Sequence, residues 1–159
     1  PGLLAAGEVA RTGMHGAHRL ASNRLLEGLV VGGRAGRAAA EHATTVGPMM
    51  AKVEEREHVS HDRRDLQQAM TRWAGVVRDG DGLRDLAATL EDAPRRRIRT
   101  RADFEDAALT ATARAVAAAA LDRTESRGCH HRSDYPETDP APVVRRTVYD
   151  RPAVAAPLS

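Results

Sequence analysis

Glu8-Val9-Ala10-Arg11-Thr12-Gly13-Met14-His15-Gly16-Ala17-His18-Arg19-Leu20-Ala21-Ser22-Asn23-Arg24-Leu25-Leu26-Glu27-Gly28 places a carboxylate, a glycine-rich turn, an arginine and a helix start within one short run. The preceding Gly2-Leu3-Leu4-Ala5-Ala6-Gly7 reads as a short buried strand, or the end of one, that stops at Glu8. Gly13 and Gly16 flank Met14-His15 and predict a tight turn with positive φ. Ser22 or Asn23 can cap a helix over about 23–43. Its apolar stripe is Leu25, Leu26, Leu29 and Val30, continued by Ala38 and Ala39. Gly28, Gly32 and Gly36 recur on one face of that helix, at about 1 kcal/mol each relative to alanine. Close approach of another backbone is the expected compensation. The interleaved Arg34 and Arg37 argue against a membrane-dimerisation reading of the same glycines.

Working outward, Gly47-Pro48 ends this unit, and the charged, aperiodic residues 48–62 read as a linker. Leu66, Ala69, Met70, Trp73, Val76 and Val77 then recur at helical spacing over 65–79, and Gly80-Asp81-Gly82 breaks the pattern. Leu83, Leu86, Ala87 and Leu90 form a second amphipathic stripe, and the basic Pro94–Arg99 stretch connects onward. A third helix is expected over 102–125, with Phe104, Ala108, Leu109, Ala111, Ala115, Val116, Ala119 and Ala120 as its packing face. Asp103, Glu105 and Asp106 sit in its first turn, where the helix dipole favours acids. Residues 63–128 thus read as a three-helix module, and 129–159 as an irregular tail, rich in Pro and Ala after Asp139.

At 159 residues with 3% aromatic side chains, a core must be built from Leu, Val, Met and Ala, which favours helices over sheets. The single cysteine, Cys129, excludes an internal disulfide and fits a reducing, cytoplasmic compartment. No apolar stretch is long enough to span a bilayer. The net charge of +2 is a weak pointer to nucleic acid. Pro94-Arg95-Arg96-Arg97-Ile98-Arg99-Thr100-Arg101 has no interleaved aromatics and reads as a solvated loop rather than a nucleic-acid site. Pro1-Gly2-Leu3-Leu4 is neither an initiator methionine nor a signal peptide, and the informative run begins almost at residue 1. The chain is therefore expected to be a fragment.

The chemistry concentrates in the opening run. Glu8 follows an apolar strand, where α/β proteins collect ligand groups, and can accept a hydrogen bond from a ribose hydroxyl. A surface glutamate capping a nearby helix is the alternative. Arg19, among small and apolar neighbours, needs an anionic partner, either a ligand carboxylate held bidentately or a structural salt bridge. The helix start at Ser22-Asn23-Arg24-Leu25 offers backbone N–H groups and a positive dipole end. Such groups suit a ligand that gains negative charge, as a flavin does on reduction. His15, His18, the His58/His61 and His130/His131 pairs and Cys129 lack partners at metal-ligand spacing, so no metal site is expected.

Ala5-Ala6-Gly7-Glu8-Val9, Thr12-Gly13-Met14-His15-Gly16-Ala17, Arg19-Leu20-Ala21-Ser22-Asn23 and Leu25-Leu26-Glu27-Gly28-Leu29-Val30 resemble the end of the FAD-binding domain of the L-aspartate oxidase family. That family lies within the fumarate reductase/succinate dehydrogenase flavoprotein superfamily. The resemblance runs through Met70, Gly75-Val76-Val77-Arg78 and Gly82-Leu83. It is specific again at Glu125-Ser126-Arg127-Gly128-Cys129-His130-His131-Arg132 and Asp134-Tyr135-Pro136. It implies a mainly α chain: residues 1–47 as the end of an α/β FAD-binding domain, then a C-terminal three-helix bundle. It also implies non-covalent FAD and oxidation of L-aspartate to iminoaspartate, with oxygen or fumarate reoxidising the flavin and the product passing to quinolinate synthase in NAD synthesis. By position, Glu8 resembles the FAD-binding glutamate, and Arg19 the arginine that grips a substrate carboxylate. Ser22 lies at the flavin end of the helix, and Arg24 and Leu25 match the two residues whose backbone faces the flavin. The dinucleotide fingerprint and the proton-transferring arginine belong to upstream sequence, so no catalytic residue is assigned here. Two positions depart from the family: His18 stands where asparagine is usual, and Arg24 where serine is usual. A fumarate reductase or succinate dehydrogenase flavoprotein acting on another dicarboxylate is the alternative. It would favour Gly-Gly-Asn over Ala21-Ser22-Asn23. A non-catalytic helical interaction module is a third reading, and it leaves the opening run unexplained.

Overall fold

A computed structural model describes residues 3–10, 12–15, 23–45 and 57–141. The chain divides into two compact units, Pro1–Glu54 and Glu55–Ser159. Helix dominates both.

In the first unit the residues before Glu8 form no strand. Residues 3–6 are irregular, Leu3 and Leu4 are exposed, and a single 3-10 turn follows at Gly7–Val9. A lone apolar segment becomes a strand only where it finds a pairing edge. Among the described residues of this unit there is none. Gly7 (φ +73°) and Gly13 (φ +88°) adopt the left-handed conformation, as the turn reading required at Gly13; Gly16 lies outside the described residues. Helix α1 spans Arg24–Thr45, and the 3-10 turn lies against its start. A Cβ on Gly28 would stand 3.8 Å from Gly7 Cα, whereas one on Gly32 or Gly36 would meet nothing within 4 Å. The glycine face is thus met by backbone only at its first position. The stripe of Leu25, Leu26, Leu29 and Val30 faces outward, and Glu27 is the buried residue among the helix's described ones.

The second unit is a three-helix assembly laced by two small ribbons. Strand β1 (Glu57–Val59) is followed by helix α2 (Arg63–Trp73), strand β2 (Val77–Arg78) and helix α3 (Gly80–Glu91). Strand β3 (Arg95–Arg97), helix α4 (Arg101–Asp122) and strand β4 (His131–Arg132) complete it. β1 pairs antiparallel with β3, Glu57 opposite Arg97, and β2 pairs in parallel with β4, Val77 beside His131. Each helix has a side-chain N-cap. Asp62 accepts from the N–H groups of Arg64 and Asp65, and Asp79 accepts from that of Gly82. Thr100 and Asp103 form a reciprocal capping box, and the Arg99 N–H, followed by the Thr100 bonds, holds the Asp103 carboxyl below its ordinary pKa.

Leu66, Ala69, Leu86, Leu90, Ala113 and Ala117 form the core, with Met70, Trp73 and Ala74 packed against its edge. Leu83, Leu86, Leu90 and Thr110 are its most deeply enclosed large side chains. Thr110 Oγ1 donates to Asp106 O and accepts from His61 N, so the hydroxyl costs nothing in burial. Arg63 reaches from α2 to Asp106 and Glu105 on α4, at 2.6 and 3.2 Å.

Four expectations are corrected here. Residues 57–59 of the expected linker form β1, because β3 offers them a pairing edge. Gly80-Asp81-Gly82, read as the break between two helices, is itself the first turn of α3, because Asp79 caps it. Val76 and Val77 leave the helix, Val76 in the bend after α2 and Val77 in β2, and both are exposed. The face of α4 is turned: Ala107, Thr110, Ala113 and Ala117 are buried together with Ala120 of the expected face, while Phe104, Leu109 and Val116 point out. Close approach of three helices leaves methyl-sized room on the inner face, so the largest side chains are displaced outward.

Past the helices, residues 129–139 of the expected irregular tail fold back. Arg132, only 2% exposed, donates through Nη1 to Ala120 O at 2.9 Å, one of the unpaired carbonyls ending α4. Its Nε and Nη2 fork onto both oxygens of Asp134, each at 2.7 Å. Asp134 Oδ2 also accepts from Gly80 N at the start of α3. A Cβ on Gly80 would lie 2.9 Å from that oxygen, so only glycine admits the contact. Ser126 Oγ accepts from Arg132 N and donates to Tyr135 O, and Arg132 stacks over the Tyr135 ring at 5.0 Å.

Two substitutions test this packing by urea unfolding. Ala117→Leu should destabilise by about 1–3 kcal/mol, whereas Ala111→Leu on the exposed face stays within about 0.5 kcal/mol of the parent. Arg132→Lys keeps the charge but loses the planar fork, and should cost about 3 kcal/mol.

Candidate functional site

The opening run builds one corner in the first unit. Gly7 carries the chain into the 3-10 turn that presents Glu8, and the packing of that turn on α1 brings the carboxylate to the first residue of the helix. There Arg24 Nη1 donates to Glu8 Oε1 at 2.8 Å. The Glu8 side chain remains 68% exposed and that of Arg24 39% exposed, so the carboxylate is reachable as well as paired. Leu25, the next residue, has an exposed side chain.

A second cluster fastens the preceding turn to the same helix. Glu27 is buried, its Oε2 lies 2.6 Å from His15 Nε2, and Thr12 Oγ1 donates to its Oε1. Thr12 Oγ1 in turn accepts from Met14 N. Thr12 and His15 are therefore both anchored on Glu27. Sequence reasoning did not single out Glu27; its signal was a lone acid inside an apolar stripe, directly after Leu25-Leu26. Of the site residues predicted from sequence, Glu8, Arg24 and Leu25 come together at the helix start, with Glu8 and Arg24 in direct contact. Arg19, Ser22 and His18 lie outside the described residues.

In the second unit the polar groups hold the fold. Glu125, itself buried, accepts from Arg123, Arg127 and Asp139 N. Burial pushes its carboxyl pKa up, but these donors more than offset it and the net shift is downward. Hydrogen bonding to Arg132, aided by Gly80 N, holds the Asp134 carboxyl well below the ordinary range. His130 Nε2 lies 3.1 Å from Arg123 O, so it carries the proton, which leaves Nδ1 to accept from Arg78 Nη1 at 2.9 Å. Burial, then the charges of Arg78, Arg123 and Arg132, lower its pKa. Among the described residues no group of three His, Cys, Asp or Glu could hold a metal, and no helix is long and apolar enough to cross a membrane. Arg95, Arg96 and Arg97 line an exposed strand opposite β1.

Residues 63–156 match the family described as fumarate reductase flavoprotein C-terminal, and the chain belongs to that family. Its particular relatives are L-aspartate oxidases. The L-aspartate oxidase of Mycobacterium leprae is 64% identical over 140 residues, covering 87% of this chain and 27% of its own length. That of Mycobacterium tuberculosis is 58% identical over 144 residues, with the same coverages. Among solved structures, the Mycobacterium smegmatis Sdh1 complex in the apo form superposes with a TM-score of 0.62 at 31% identity, covering 87% of this chain and 28% of that one. The chain thus spans little more than a quarter of the proteins it resembles.

The polar lattice of the second unit makes its stability pH-dependent. A histidine held neutral in the fold leaves the unfolded chain binding more protons. Stability is therefore full above the unfolded value near about 6.5 and falls as pH drops toward the lowered folded value. Asp134 adds a second loss in the same direction, beginning below about 4. Thermal melts of the protein should show a lower midpoint at about pH 5.5 than at about pH 7.5, about one unit either side of the ordinary histidine value. His130→Gln should flatten the curve in that interval and leave the acid limb in place.

Proposed function

We propose that this chain forms the cofactor-facing and substrate-facing end of a cytoplasmic FAD enzyme that oxidises L-aspartate to iminoaspartate. The observation that carries the reading is Glu8, held at the first residue of α1 in a chain 64% identical to an L-aspartate oxidase. The corner fits a nucleotide cofactor: an exposed carboxylate suits a hydroxyl, and the adjoining helix start suits negative charge. Glu8 accepts a hydrogen bond from a cofactor hydroxyl. Ser22 and the backbone N–H groups of Arg24 and Leu25 lie toward the flavin and favour its reduced, anionic form. Arg19 grips a substrate carboxylate through its planar fork and so aligns the Cα–H bond for oxidation. Bound FAD supplies the two-electron acceptor, itself reoxidised by oxygen or fumarate, and iminoaspartate goes on to quinolinate synthase. The chain covers 27% of that oxidase, and by itself it should neither hold FAD tightly nor turn over aspartate.

The identity of 64% to an L-aspartate oxidase, against 31% to the Sdh1 chain, favours an amino dicarboxylate over succinate as substrate. The reading is tested in a full-length enzyme made by exchanging this chain for the matching segment of the Mycobacterium leprae oxidase. Anaerobic L-aspartate should bleach its flavin absorbance and succinate should not; the reverse preference overturns the reading. In that enzyme Arg19→Lys should keep its flavin while kcat/KM for aspartate drops on the order of a hundredfold.

A further inference from the structure

Arg24 is an anomaly for a helix start. A cation at the first residue of α1 faces the positive end of the helix dipole, which costs free energy unless an anion answers it. Glu8 answers it, from sixteen residues away in sequence, at 2.8 Å. The contact engages one carboxylate oxygen, Oε1, in a side chain that stays largely open. The turn that carries Glu8 is already fixed by its packing on α1, with Gly7 Cα 3.8 Å from where a Gly28 Cβ would be. Backbone packing therefore sets where Glu8 stands, and Arg24 sets which way its carboxylate is turned.

We infer that Arg24 is a positioning residue for the cofactor. It holds Glu8 by Oε1 so that Oε2 is presented to a hydroxyl of a nucleotide ligand. This rests on the reading of Glu8 as a cofactor ligand. A serine at position 24 is too short to make this contact, so the carboxylate would be free to rotate and would lose orientation before binding.

The experiment uses the same full-length exchange enzyme, stripped of flavin, and reads FAD affinity from quenching of flavin fluorescence. Glu8→Gln, Arg24→Ser, Arg24→Lys and the Glu8→Gln/Arg24→Ser double variant are compared. Arg24→Ser is expected to weaken FAD binding about five- to tenfold, with the melting temperature of the flavin-free protein unchanged. Arg24→Lys, which keeps the charge and the reach, should recover part of the loss. The double variant should bind no more weakly than Glu8→Gln alone, because the two residues act through one contact. Unchanged or tighter FAD binding in Arg24→Ser, or losses that simply add in the double variant, would overturn the role of Arg24 while leaving the reading of Glu8 intact. Unchanged binding in Glu8→Gln would overturn both.

Discussion

The second unit depends on one buried guanidinium. Arg132 satisfies a carbonyl at the end of α4, forks onto Asp134, and through Asp134 reaches the first N–H of α3. Two helix ends that would otherwise leave orphan polar groups are thereby joined by one ion pair. The buried charge is tolerable because its hydrogen bonds are directed and its partner is ionised, with the Asp134 carboxyl held well below its ordinary pKa by the same contact. The parallel pairing of β2 with β4 follows, since the chain must return to this point to deliver Arg132.

That constraint explains the division of labour between apolar and polar groups. The leucines of α3 enter against alanines on α4, a pairing of large with small that draws the helices close. A core so sparing of bulk leaves the helix ends near one another, and the ends are where arginines and acids gather. Arg63 with Asp106 and Glu105 does at one end of α4 what Arg132 with Asp134 does at the other.

The helices themselves were legible in the sequence, since Leu83, Leu86 and Leu90 recur at a spacing that only a helix turns into one face. The face of α4 was not. Its alanines surround the helix on all sides, so the pattern had no contrast, and Phe104 and Val116 drew the reading to the outer surface. Nor was the return of residues 129–139 legible from periodicity. A buried ion pair is found by its partners, and Ala120 O, which accepts from Arg132, and Gly80 N, which donates to Asp134, belong to distant backbone that no side-chain pattern records. The site divides in the same way. Glu8 was visible as a carboxylate ending an apolar run, but its meeting with Arg24 follows from a fold-back of sixteen residues. Glu27 was hidden by its place in a leucine stripe.

The outward face of α1 carries the remaining step. An amphipathic helix ordinarily turns its leucines to its own core, yet Leu25, Leu26, Leu29 and Val30 are exposed while a glutamate is enclosed. Burying Glu27 is favourable because His15 and Thr12 satisfy it, so the polar contact decides which way this stretch of the helix faces the turn. The leucine stripe is then left for a surface of a different kind from anything described in this unit. Relatives a little over three times as long have the additional chain with which to cover such a stripe. The polar side of the helix start, with Glu8 and Arg24, is ordered without that cover. The elements that define the candidate site are therefore local to the opening run.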